Sequence, residues 1–183
     1  MPARARRSDA RDNHALLLAA AREVFAEEGP DAPLDRIARR AGIGNATMYR
    51  HFPSRRELVI AVYADEVASL ASRARLDAAD PGAALFGWLA VFVEHVRTKR
   101  DLALSLTTPA GDHETLFAHW HETVNETAAA LVDRAKAADA VEPDTDPLDL
   151  LLLATGIALA NAPARTPRLL ALVRRSVSPA DPG

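Results

Sequence analysis

Apolar residues recur at helical spacing along most of the chain, and no stretch alternates with the period of two that marks a strand. Leu17, Ala20, Ala21, Val24 and Phe25 form one stripe on a helix predicted over 9–28, which Gly29-Pro30 ends. Leu34, Ile37, Ala38 and Ala41 repeat at i, i+3, i+4 and i+7 on a second helix. Gly42 follows directly, a residue that enters the left-handed conformation without strain and so ends helices. Asn45 is placed to cap a third helix, in which Met48 and Phe52, four apart, face inward. Pro53 stops it, and Ser54-Arg55-Arg56-Glu57 reads as a capping box. It opens a long fourth helix, to about Ala79, with Leu58, Val59, Val62, Tyr63, Val67 and Leu70 inward and Pro81-Gly82 as its break.

The pattern continues with helices predicted over 83–99 and 112–140, a short one over 101–107, and a loop built on Pro109 and Gly111. Residues 141–147 read as an acidic turn. Asp146-Pro147, a cap followed by a first-position proline, opens a helix over 148–162, and Thr166-Pro167 opens the last, ending near Val177. The expected fold is all-α, with about nine helices. It divides into a basic flexible arm (1–8), a three-helix module (9–56), a second helical domain (57–177) and a tail (178–183).

The second and third helices, joined through Gly42, have the form of a helix-turn-helix: small Ala38 and Gly42 let the two cross closely. Asn45, Ala46, Tyr49 and Arg50 fall on the outer face of the third, flanked by Thr47 and His51. An ordinary helical hairpin would leave the same tyrosine and arginine solvated. Against that stand an outer face with little acid and cations at both of its ends. The helix start at 54–57 adds free backbone N–H groups, a positive dipole end and two guanidinium groups, all suited to phosphate.

From about Leu17 to Val67, through AAREVFAEEG, IARRAGIGNATMYRHFPSRREL and AVYADEV, the chain resembles the TetR family of one-component bacterial transcriptional regulators. The resemblance implies a recognition helix over 45–52, an aromatic DNA contact at Tyr49, and phosphate contacts at Thr47 and His51. Arg55 stands where the family usually has lysine and keeps the charge. Pro33 stands where the family commonly has a capping threonine that touches phosphate, so this contact is not expected here.

Charge sharpens the division. Residues 1–56 carry 11 Arg against 7 acids, and residues 57–183 carry 11 basic residues against 18 acids. Double-stranded DNA is therefore expected at the N-terminal end only, and the second half has another task. Arg4, Arg6 and Arg7 suit an arm that follows a DNA backbone or enters a minor groove; a solubilising tail has the same composition. The sequence has 0 cysteines, no secretory signal and no apolar run of spanning length, so a cytoplasmic protein with no membrane partner is expected.

Both tryptophans lie in the second half, on two predicted helices. Trp88, Phe92, His95 and Lys99 share one face of the first; Phe117, Trp120, His121, Val124 and Asn125 share one of the other. An apolar wall with a few polar groups has the composition of a small-molecule site, and the same stripe can equally fill a core. The resemblance implies an effector held between these helices. With no arginine in those aromatic stretches, the expected ligand is hydrophobic and neutral or weakly charged. His113, His119 and His121 cluster, but His119 and His121 lie on nearly opposite helix faces and no HExxH motif or cysteine accompanies them. No metal, no cofactor and no enzymatic activity are expected.

Residues 148–162 are apolar almost all round, so they require cover on more than one side. Either the subunit's own core supplies it or a second copy does. The resemblance implies a four-helix dimer interface, with Leu150, Leu153, Ala154 and Ile157 on this helix and Leu169 and Val173 on the next.

Overall fold

The computed structural model describes the backbone of residues 2–105 and 113–179 and the side chains of residues 11–102 and 118–179. The described residues form eight α-helices: α1 (Pro2–Glu28), α2 (Leu34–Arg40), α3 (Asn45–His51), α4 (Arg55–Ser72), α5 (Pro81–Ser105), α6 (His113–Ala137), α7 (Pro147–Leu159) and α8 (Thr166–Val177). A 3-10 turn, Pro163–Arg165, precedes the last. Among the described residues there is no strand.

The count falls one short of nine because the short helix expected over 101–107 begins as a continuation of α5; residues 106–112, with the expected loop, lie outside the described residues. Pro81 does not merely break a helix. It occupies the first turn of α5, and the Asp80 carboxylate accepts a hydrogen bond from Ala83 N–H at 2.8 Å. α4 correspondingly ends at Ser72, short of the expected Ala79. The basic stretch 2–8, expected as a flexible arm, is helical and continuous with α1.

The chain separates into two compact units, the described residues 2–65 and 101–105 in one and 66–100 and 113–179 in the other, so that α4 and α5 each enter both. The first unit holds α1 to α3, the start of α4 and the end of α5 from Asp101. Its core is Leu17, Ala21, Val24, Ile37, Ala38, Met48, Phe52, Leu58 and Val62, all buried, as the stripes require. α2 ends through Gly42 at φ +69°: Ile43 N–H reaches Ala38 O (2.9 Å) and Gly42 N–H reaches Arg39 O (3.1 Å). These two bonds satisfy carbonyls that the helix end would leave open. Gly44, not Asn45, occupies the cap of α3, so Asn45 begins the helix and its side chain is exposed. One half of the capping box forms: Ser54 Oγ accepts from Glu57 N–H at 3.2 Å, and the Glu57 carboxylate accepts from the Ser54 hydroxyl, also at 3.2 Å.

The second unit is built on the end of α4, α5 as far as Arg100, and α6 to α8. Leu70, Leu85, Trp88, Leu89, Val93, Leu131, Val132, Leu150 and Ala154 form one buried cluster. Gly82 permits a close approach there, since an added Cβ would lie 3.0 Å from Ala140 Cβ. Asp146 caps α7 by accepting from Leu148 N–H at 2.7 Å, with Pro147 next, as expected. Arg174 of α8 lies over the Phe86 ring, 5.6 Å from its centroid.

On α7 and α8 the residues expected at a pairing face differ in burial within the subunit. Leu150 and Ala154 are buried in the subunit's own core, and Ile157, Leu169 and Val173 are half-buried, Ile157 and Val173 packed against that core. Of the six residues assigned to a dimer interface, only Leu153 is exposed. The uncovered apolar stripe is Leu148, Leu152 and Leu159, with Leu153 beside it on α7 and Leu172 on α8. A helix apolar all round does not reveal which side its own core takes. α6 and α8 pack on α7 and decide it.

Candidate nucleic-acid interface

α3 is only seven residues long, and its burial follows the helical period. Met48 and Phe52 are sealed beneath, while Asn45, Ala46, Tyr49 and Arg50 are exposed, and Thr47 and His51 are half-buried at the flanks. Half of the Tyr49 surface is open (51%), a large value for an aromatic residue. Arg50 leans on Thr47, its Nη2 3.4 Å from Oγ1. All six residues expected on this helix therefore sit as the spacing requires, with one change: Asn45 is not engaged as a cap.

Arg55 differs from its expected role. Its Nη1 donates to the carbonyls of Pro30 (2.9 Å) and Ala32 (2.5 Å), which ties the start of α4 to the turn between α1 and α2. The guanidinium thus braces the module from within. The other cations are largely paired as well. Arg36 meets Glu28 (2.8 Å), Arg39 meets Asp35 (3.0 Å), Arg40 meets Glu23 (3.0 Å) and Glu27 (2.8 Å), and Arg22 pairs with Asp65. Hydrogen bonding to Arg40 holds the Glu27 carboxyl below its usual range. The positive excess of this end is therefore partly neutralised, and Arg50 is the cation presented on the outer face of α3. Pro33 stands at the cap of α2 with no side-chain cap bond, in line with the departure seen in the sequence.

Sequence reasoning missed His14. Projecting from α1, its ring lies 4.9 Å from that of Phe52 and 6.2 Å, edge-on, from that of His51. Burial, then the charges of His14 and Arg50, push the His51 imidazole below its ordinary pKa. No periodicity within α1 signals this pairing, because it joins residues 37 positions apart through the packing of two helices.

In the second unit, the residues expected to hold a ligand separate. Trp88 is buried, stacks on Phe92 (5.8 Å, 17° between planes) and donates its indole N–H to Leu70 O at 3.0 Å. Trp120 is buried, and His95 and Val124 are half-buried. His121 and Asn125 are exposed, because the inward line of α6 runs through Trp120, Ala128, Leu131 and Ala135 and leaves the next residue round the helix in solvent. The Phe117 side chain lies outside the described residues. Lys99, expected at a helix end, sits within the longer α5 and pairs with Glu66 of α4 at 2.9 Å, both side chains mostly covered. Burial pushes the His95 imidazole down, against the opposing pull of Glu66 and with Lys99 and Arg73 adding to the fall. Among the described residues no three His, Asp or Glu side chains gather as a metal set. No described helix is long and apolar enough to cross a membrane.

Two family models cover most of the chain. Residues 17–62 match that of the bacterial regulatory proteins of the tetR family, and residues 80–178 match the C-terminal domain of SbtR-like transcriptional regulators. The chain belongs to the TetR family. A crystal structure of a TetR transcriptional regulator from Streptomyces coelicolor is 35% identical, covers 91% of this chain and 99% of its own, and superimposes with a TM-score of 0.78. An uncharacterised HTH-type transcriptional regulator of Pseudomonas putida, TtgW, is 41% identical over 63 residues, which are 34% of this chain and 47% of that protein. The HTH-type transcriptional activator FasR of Mycolicibacterium smegmatis is 45% identical over 60 residues, 32% of this chain and 27% of its own. The match thus spans less than half the length of each of these two relatives. As a TetR-family member the protein is a transcriptional regulator, and α2 and α3 are its helix-turn-helix.

Proposed function

We propose that the protein is a cytoplasmic, homodimeric repressor that holds a palindromic operator with its two α3 helices and is released by a small hydrophobic effector. The observation that carries the reading is the outer face of α3, where Asn45, Tyr49 and Arg50 stand exposed over the buried Met48 and Phe52. Asparagine and arginine suit base edges in a major groove, adenine and guanine respectively, and Tyr49 with Thr47 and His51 suits the phosphates alongside. A second copy would cover Leu148, Leu152 and Leu159 of α7 and Leu172 of α8, giving two recognition helices for two half-sites. The effector site lies against α5, between the Trp88–Phe92 stack and the Lys99–Glu66 pair, which joins α5 to the end of α4. A ligand that separates the pair shifts α4, a helix that enters both units, and so moves α3.

The burial of Trp88 and Phe92 favours a second reading, a constitutive DNA-binding protein whose aromatics are simply core. The two part on one experiment. A duplex is selected by the protein from a randomised palindromic pool, and its binding is followed with tryptophan fluorescence while hydrophobic compounds are added. Compounds that release the duplex and quench the tryptophans support the repressor; release never occurring supports the constitutive protein. Asn45→Ala and Arg50→Ala are expected to relax base preference by about 1–3 kcal/mol for each bidentate hydrogen-bonded pair removed, whereas Tyr49→Phe weakens all sequences alike. Base preference and affinity unchanged in all three would remove α3 as the reading helix.

A further inference from the structure

His51 is the last residue of α3, half-buried, and its neighbours are unusual for a group placed to meet a phosphate. On one side stands the exposed imidazole of His14, edge-on at 6.2 Å and resting on Phe52; on the other is Arg50, the preceding residue. Neither is an anion. Several charged groups of the other elements packed around α3 are turned to other partners. On α2, Asp35 with Arg39 and Arg36 and Arg40 with acids of α1 are closed ion pairs. Arg55, at the start of α4, is bound to backbone carbonyls of the α1–α2 turn. Burial first, and then the His14 and Arg50 neighbours, favour the neutral form of His51 in the free protein.

We propose that His14 is a positioning residue for the operator contact of His51, and that through this pair DNA binding is coupled to proton uptake. The inference rests on the reading of α3 as the recognition helix. A phosphate beside His51 reverses its surroundings: the anion offsets the repulsion from His14 and Arg50 and stabilises the imidazolium, which then donates to a phosphate oxygen. The free protein holds His51 below the ordinary value near 6.5 and the complex holds it higher, so the complex carries more protons at any pH between the two. Affinity therefore rises as pH falls through that window and levels off below it. The gain is about tenfold for each unit by which the phosphate raises the His51 pKa. His14 contributes twice: its ring, laid on Phe52, stands edge-on beside His51, and its charge sets where the pH window of His51 falls.

The test is the pH profile of binding to a palindromic duplex selected by the wild-type protein from a randomised pool, measured between about pH 5.5 and 8. His14→Phe keeps a ring over Phe52 and removes the charge, His51→Gln keeps a donor that does not titrate, and circular dichroism checks that each variant is folded. The wild-type is expected to tighten as pH falls, His51→Gln to lose most of that slope, and His14→Phe to tighten over a window displaced to higher pH. A flat wild-type profile, or the same window in the wild-type and His14→Phe, overturns the coupling. Arg50→Ala separates the two levels: binding that is indifferent to it overturns the recognition-helix reading and the coupling with it. Binding that needs Arg50 but has the same window with and without the His14 charge overturns the coupling alone.

Discussion

Thr145 precedes the cap of α7 with its side chain buried and its hydroxyl meeting no hydrogen-bond partner. A buried hydroxyl without a partner loses its water and gains nothing in return. Thr145→Val keeps the branched shape and removes that group, so the variant is expected to gain about 1 kcal/mol. In a chain of this size this is a rise of about 2–4 °C in Tm, read by thermal unfolding. Unchanged or lower Tm would mean that the hydroxyl is satisfied in solution. Residue-scale roles were legible where a single helix defines them. The exposure of Asn45, Tyr49 and Arg50 follows from spacing alone. Arg55 was not legible, because its partners, the carbonyls of Pro30 and Ala32, lie more than twenty residues away and are brought together by folding.

At the scale of elements, glycines serve two different needs. Gly42 sits at φ +69° with open space around the position of a Cβ, so only the backbone conformation requires glycine there. Gly82 has ordinary backbone geometry, but Ala140 leaves its Cβ no room. Gly42→Ala is expected to cost about 1 kcal/mol, from left-handed strain alone, without disturbing the core. It also loosens the α2–α3 angle, so DNA affinity should fall by more than the loss in stability predicts. Chemical denaturation and a binding titration on the same variant check both, and a variant as stable and as tight as the wild-type would show that the turn tolerates a side chain. Helix ends were legible where caps are local, as at Ser54 and Asp146. They were misjudged at Asn45, where Gly44 is the cap, and at Pro81, read as a break but found in the first turn of α5 behind Asp80.

On the scale of the whole molecule, the uncovered leucines of α7 bear on assembly. Leu152 and Leu159 are 61% and 57% exposed, so a charge there leaves the protomer's own packing intact. Leu152→Glu would face a dry surface in a dimer, where an unpaired charge is costly. Sedimentation is expected to show monomers that keep a native Tm, and operator binding to collapse because one half-site holds poorly. A dimer surviving this change would place the interface elsewhere. Ile157→Glu is a poorer probe than its sequence position suggests, because Ile157 packs against the subunit's own core.

The sequence by itself determined the helical class, the helix-turn-helix and the outward face of α3. Each follows from repeats within one helix, and helical period is a local property of the chain. Tertiary structure decided which side of α7 is core, that the Trp88–Phe92 stack is buried, that Lys99 meets Glu66, and that His14 lies against His51. Each of these depends on how different helices pack together. A helix apolar on all sides, or an aromatic stripe of one face, is compatible with several neighbours. Only the neighbours that actually pack there select the buried face and the paired charge.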